Sequence, residues 1–152
     1  MCCLLLTACS ADRAPEAVNT AVDSPAALEY AGKSFDCHIT YVSDRLSSVT
    51  LLSPESVQGL KYARADGQTS LSLGSLLCRS GHPLPGGQAL SEQLFSMMDA
   101  AARNGLSLTD EKDGRYTFTG QSGGKDFTVV TDCTGKLLEM KNEALAVIFQ
   151  DT

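Results

Sequence analysis

Phe35-Asp36-Cys37-His38-Ile39-Thr40-Tyr41 alternates apolar and polar side chains without a break. A strand sends successive side chains to opposite faces, so this period of two predicts a strand with one buried face and one wet face. Strands of parallel sheets are buried on both faces and read as continuous apolar runs, so a two-faced strand belongs to an antiparallel sheet. Ser43-Asp44-Arg45 supplies a turn, and Leu46 to Ser53 returns with Val49 and Leu51 inward. The chain is expected to open its fold as an antiparallel meander.

Working outward, Ser53-Pro54-Glu55-Ser56-Val57-Gln58-Gly59 predicts one short helical turn, with Ser53 capping, Pro54 first and Gly59 at the end. Asp66-Gly67 lies between Leu60–Ala65 and Gln68–Leu73. That dipeptide is a strong hairpin signal, because both residues of the favoured tight turn take positive φ. Leu76-Leu77-Cys78 is a further short strand, and Ser80 to Gly87, rich in Gly and Pro, is a loop. Gln88 to Arg103 is the one clear helix. Leu90, Leu94, Met97, Met98 and Ala101 share a side, Phe95 sits at its edge, and Asn104-Gly105 ends it. Glu92 and Asp99 are expected on its solvent side. Strand character resumes at Leu106–Thr109, Arg115–Thr119, Asp126–Thr131, Leu137–Lys141 and Ala144–Gln150. The expected fold is α+β: a curved, half-barrel-like antiparallel sheet of about eight or nine strands, covered by one main amphipathic helix.

Charge narrows the partners. The chain of 152 residues carries a formal charge of −6. It shows no cluster of Lys and Arg able to neutralise phosphates, so nucleic acid is not an expected partner. No segment approaches the roughly 18 apolar residues of a membrane span. Of the six cysteines, Cys2, Cys3, Cys9, Cys37, Cys78 and Cys133, none are spaced as C-x-x-C, and there are two histidines. No metal and no cofactor is expected from that set. At most one disulfide is available to Cys37, Cys78 and Cys133, and small apolar core residues are the simpler reading.

The N-terminus reads Met1-Cys2-Cys3-Leu4-Leu5-Leu6-Thr7-Ala8-Cys9-Ser10. Leu6-Thr7-Ala8-Cys9 resembles the lipobox of bacterial lipoprotein signal peptides, with a branched apolar residue three positions before the cysteine and a small one just before it. The resemblance implies a signal peptide over residues 1–8 and a lipid anchor on Cys9, with fatty chains such as palmitate. Two chains make attachment stable where one leaves it marginal. A signal peptide ordinarily has a basic start and roughly 7–15 apolar residues. No Lys or Arg precedes Cys9 and the apolar run is short, so the leader is expected to start further upstream. Ser10 to Gly32 is rich in Ala, Pro, Ser and acids, so residues 9–32 are expected to form anchor and tether, and residues 33–152 a single domain.

Strand-turn-strand, then Leu52-Ser53-Pro54-Glu55-Ser56-Val57-Gln58-Gly59-Leu60, a hairpin, an amphipathic helix and a closing meander resemble small surface lipoproteins of Gram-positive bacteria. Those are similar in fold to the lipoprotein carrier (LolA) and mycobacterial LppX group. The resemblance covers roughly residues 33–150 and implies a half-barrel whose concave face holds an acyl chain or serves as a protein-binding scaffold.

Candidate chemistry is sparse. Gly120-Gln121-Ser122-Gly123-Gly124 matches G-x-S-x-G, but that motif works only where a strand feeds a helix through a strained elbow, and a strand follows here. Cys37 and His38 are neighbours on a strand and so face opposite ways. His82 sits in the Gly- and Pro-rich loop, where a partner contact is one reading and solvation the other. No catalytic residue is assigned and no enzyme is expected. The expected function is a non-catalytic scaffold or accessory domain for another envelope protein, held at the extracytoplasmic face of the cell membrane. The alternative is a carrier or sensor that holds a lipid or other hydrophobic ligand between helix and sheet, lined by Leu94, Phe95, Met97 and Met98.

Overall fold

The computed structural model describes residues 14–80, 90–103 and 105–150. The leader 1–8, Cys9, His82 with the rest of its loop, and Asn104 lie outside the described residues.

The strands are β1 (Val22–Tyr30), β2 (Lys33–Ser43), β3 (Leu46–Leu51), β4 (Lys61–Ala65), β5 (Gln68–Leu73) and β6 (Leu76–Ser80). After helix α1 (Leu90–Ala102) come β7 (Ser107–Lys112), β8 (Arg115–Ser122), β9 (Lys125–Thr131), β10 (Leu137–Lys141) and β11 (Leu145–Phe149). All join one open, eleven-stranded sheet in the order β6-β5-β4-β3-β2-β1-β11-β10-β9-β8-β7. Every neighbouring pair is antiparallel. The chain thus starts in the middle, meanders to one edge, crosses by way of α1, and meanders back from the other edge to lie beside its own first strand.

Tight turns make this possible. Asp66-Gly67 takes φ +50° and +76°, as its sequence predicts, and Asp113-Gly114 and Gly123-Gly124 turn the same way. Ala31-Gly32 does so as well, with Ala31 at φ +51°, a conformation its Cβ disfavours. That disguised turn bears on the expected domain boundary. The segment expected to tether through Gly32 ends earlier, because Val22–Tyr30 forms β1 at the centre of the sheet, with Ala26 and Leu28 buried. The small Ala side chains and Pro25 hide its alternation. Pro25 is tolerated there because its missing donor falls at the end of a ladder. Its carbonyl, on the same side as its nitrogen, accepts from Gln150 N–H at 2.9 Å, just past the last residue of β11.

One face of the sheet carries the core. Cys37, Ile39 and Tyr41 on β2, Val49 and Leu51 on β3, Tyr116 on β8, Phe127 and Val129 on β9, and Val147 on β11 are all buried beneath α1 or beside it. Burying each of the larger side chains stabilises the fold by about 1.5–3 kcal/mol. The helix packs on β2, β3, β8 and β11. Gly120 on β8 is buried because a Cβ there would approach Leu106 and Phe127 to 2.6 and 2.9 Å, so the first glycine of the G-x-S-x-G match serves packing.

The short helical turn is a 3-10 turn over Glu55–Val57, and Ser53 does not cap it. The Ser53 hydroxyl instead accepts the Asp36 N–H at 2.9 Å and donates to the Asp36 carboxylate at 2.8 Å, tying the turn to β2.

Candidate functional site

The concave face of the sheet divides into a part that α1 fills and a part that it leaves open. On the filled part, Leu94 and Met98 are wholly buried, with Met97 and Phe95 nearly so. Three of the four residues expected to line a ligand space, Leu94, Phe95 and Met98, are therefore packed into the core. The fourth, Met97, also borders a cleft of about 230 Å³ between α1 and the β8–β9 hairpin. Besides Met97, Phe127 and Gly123, the cleft is bounded by polar residues: Glu92, Gln93, Ser96, Ser122, Lys125 and Asn142. Most of this lining is polar, whereas pockets for apolar ligands are walled mainly by hydrophobic groups. Lys125 at its mouth is engaged by Glu143 at 2.6 Å, which holds the Glu143 carboxyl below its ordinary range. Ser122 ends β8, and Gly123-Gly124 turns the chain straight into β9. The strand-to-helix elbow that a nucleophilic serine needs is replaced by a hairpin.

A polar clasp fastens the helix at the border between the two parts. Arg64 of β4 donates from both terminal nitrogens to the two Asp99 oxygens, each at 2.8 Å, and from Nε to Ser47 Oγ at 3.1 Å. Tyr41 donates its hydroxyl to Asp99 Oδ1 at 2.8 Å, and the Arg64 guanidinium lies 5.0 Å from the centre of the Phe95 ring. Asp99 is only 12% exposed, so the solvent side expected for it is wrong. A fork-to-carboxylate pair of this kind fixes orientation as well as adding energy. Burial works against the Arg64 charge, but the bonds and charge of Asp99 outweigh it and push its pKa up. Burial, aided by the bond to Asp99, likewise raises Tyr41.

Beyond the clasp lies a wing formed by β4, β5 and β6. Its face follows from register. Val49, Tyr62, Leu71 and Cys78 stand opposite one another in successive strands, and directly opposed residues share a face. Because Val49 points toward the helix, so do Tyr62, Leu71 and Cys78, and so do Leu73 and Leu76 two places along. Leu76 is 72% exposed and Leu73 41%. This apolar strip is continuous with the core at half-buried Tyr62 and Leu71 and reaches water at Leu73 and Leu76.

No protein-family model matches this chain, and no curated protein matches it. Solved structures do. An uncharacterized conserved protein from Thermus thermophilus superposes with a TM-score of 0.52 at 13% identity, covering 87% of this chain and 79% of its own. A LolA superfamily protein from Nitrosomonas europaea superposes with a TM-score of 0.40 at 11% identity, covering 86% of this chain and 83% of its own. At 13% identity the first likeness is one of fold and carries no activity with it.

The cysteines separate by environment. Cys37 is buried and donates to the Ala26 carbonyl at 3.4 Å, and desolvation followed by the charge of Asp36 pushes its thiol up to about 12. Cys78 and Cys133 are free and exposed, so the core role expected for all three holds for Cys37 alone. His38 points to the opposite face from Cys37, as alternation requires, and meets Asp23 at 2.8 Å.

What sequence reading missed was the exposure of the wing's helix-side face at Leu73 and Leu76, and the clasp. Arg64 and Asp99 are far apart in the chain, and no spacing rule links a strand to a helix reached through a crossover. The apolar strip had one visible sign, Leu71, Leu73 and Leu76 on one face of a hairpin, which is more leucine than a solvent-facing hairpin needs.

Proposed function

We propose that this chain is an extracytoplasmic binding module without chemistry of its own. A lipid anchor on Cys9 holds it at the membrane, and the helix-side face of the wing docks another envelope protein. The observation that carries this reading is the apolar strip that runs from half-buried Tyr62 and Leu71 out to exposed Leu73 and Leu76. Contiguous exposed apolar surface beside polar groups marks interaction sites. An aromatic with a polar tip among leucines has the composition of an interface centre.

The carrier reading is the second one, and packing weighs against it. Leu94, Met97 and Met98 already fill the space under α1, so an acyl chain there would require the helix to lift and the Arg64–Asp99 clasp to break. On the wing, in contrast, no described residue covers Leu73 and Leu76.

Crosslinking and pull-down from envelopes tests the docking reading. The wild-type chain should capture a reproducible partner, and Leu73→Lys with Leu76→Lys should lose it while remaining folded. Capture that is indifferent to both changes refutes the wing as the docking face. Solvent extraction of the purified chain tests the carrier: a stoichiometric lipid recovered repeatedly would replace the docking reading. Cys9→Ala should release the protein from the membrane fraction, and an unchanged distribution would remove the anchor from the proposal.

A further inference from the structure

The two edges of the sheet are built to opposite rules. β7 is blunted. Its register with β8 is broken by a bulge at Thr109, and Asp110, Glu111 and Lys112 follow in a row, all exposed. Bulges and charges on an edge strand are the usual means of preventing further pairing. β6 carries no such device. It reads Leu76-Leu77-Cys78-Arg79-Ser80 and pairs with β5 in unbroken register from Leu73↔Leu76 to Thr69↔Ser80. Leu77 is 56% exposed, and the only charge on the strand is Arg79.

The backbone of β6 is correspondingly ordered for a partner. The β5–β6 connection is the two-residue turn Gly74-Ser75, with Gly74 at φ +56°. In such a hairpin the flanking residues, here Leu73 and Leu76, exchange both hydrogen bonds, and bonded and non-bonded pairs alternate thereafter. Cys78 and Ser80 therefore turn their N–H and C=O toward β5. Leu77 and Arg79 turn theirs outward, where β6 is the last strand of the sheet among the described residues.

We infer that β6 pairs antiparallel with β6 of a second copy of this chain, about a two-fold axis at Cys78. Three observations select that occupant. Pairing with β7 of another copy meets a bulge that destroys the spacing of its outward groups, and would propagate without end. Self-pairing closes after two copies, as an isologous contact must. In the Cys78-centred register Arg79 opposes Leu77 of the second copy and Leu76 opposes Ser80, so no charge directly opposes a like charge along the paired strands. Finally, Cys78 has its backbone groups turned inward, so the two Cys78 residues form a non-hydrogen-bonded pair with Cα atoms about 4.5 Å apart. That spacing lies within the disulfide range. A five-residue ladder is small, so the dimer is weak and concentration-dependent. This inference concerns the edge of the wing and stands apart from what docks on its face.

Sedimentation of the full chain in mild detergent tests it. The expected result is a species of twice the monomer mass that grows with protein concentration. It should be lost in Leu77→Pro, which deletes an outward N–H without touching the hairpin, and in Leu77→Lys. Circular dichroism and thermal unfolding would show both variants folded. With glutathione disulfide present, two Cys78 thiols give up their electrons to form one protein disulfide, and the glutathione disulfide is reduced to two glutathione thiols. Mass-spectrometric mapping should find Cys78 joined to Cys78 in the wild type and far less of it in Leu77→Pro. A monomer at every concentration, a dimer that survives both variants, equal linkage in Leu77→Pro, or open-ended polymers would each overturn the inference. A monomer would leave capture by the wing face unaffected, so the two ideas fail separately.

Discussion

The strands under α1 and the strands of the wing belong to one continuous sheet, yet they solve the problem of apolar surface differently. Under the helix, every inward side chain from Ile39 to Val147 meets another side chain. On the wing, Leu73 and Leu76 carry the same chemistry on the same face and meet water. Backbone pairing alone is thus enough to extend the sheet past its cover. The covered part holds the stability, and the wing holds surface available for binding. The clasp of Arg64, Asp99 and Tyr41 stands at the boundary, where the last polar groups able to fix the helix end.

The largest effect should come from the covered side. Phe127→Ala removes a buried core ring, and denaturant unfolding should show a loss of about 3–5 kcal/mol. Next is the boundary. Arg64→Met leaves the largely buried Asp99 carboxylate without its cation, with only the Tyr41 hydroxyl still donating to it, and the expected loss is about 2–4 kcal/mol, reduced from that of a deep ion pair by the residual exposure of both groups. The double variant Arg64→Met with Asp99→Leu should recover most of it. If it does not, the clasp contributes more than the mere avoidance of an orphaned charge.

A pH series sharpens the contrast by its sign. The Cys37 pKa is raised from an ordinary value near 9 to about 12, so the folded state holds a proton that the unfolded chain releases. Its contribution is complete below pH 9 and is lost as pH climbs toward 12. Tyr41 is raised as well and acts in the same direction. Stability measured from about pH 8 upward should therefore fall, and Cys37→Ala should flatten the fall. A thiol reagent applied to the native protein at about pH 8 should label Cys78 and Cys133 and spare Cys37. The smallest effect on stability belongs to the wing. Leu76→Ser should change unfolding by no more than about 0.5 kcal/mol, while reducing capture of a docking partner. A loss of several kcal/mol at Leu76 would show that something covers the wing after all, and would erase the contrast.

Much of this architecture is readable in the residues. β5 and β10 match their predicted spans, the helix ends one residue before its expected stop, and Asp66-Gly67 turns as its chemistry demands. Those are places where local preference and tertiary need agree. β1 was hidden because they disagree: Ala31 stands where a turn favours Asn or Asp, and Pro25 sits inside a strand. Each short segment read as a strand in the sequence is found, the three of the wing included, and β1 brings the total to eleven, above the eight or nine expected. The site was less legible than the fold. Whether Leu73 and Leu76 are core or surface depends on how far a single helix reaches across the sheet, and a helix of 13 residues spans only about 20 Å.

The seam between β1 and β11 sets when this molecule can become itself. Ala26 lies against Phe149, and Tyr30 against Leu145. Each half of the sheet can zip locally as its hairpins emerge, but the two halves share no ladder until the final strand arrives beside the first. Contacts so distant in sequence form late and slowly. A polypeptide missing Leu145–Phe149 would not be trimmed at a margin; it would be split down the middle.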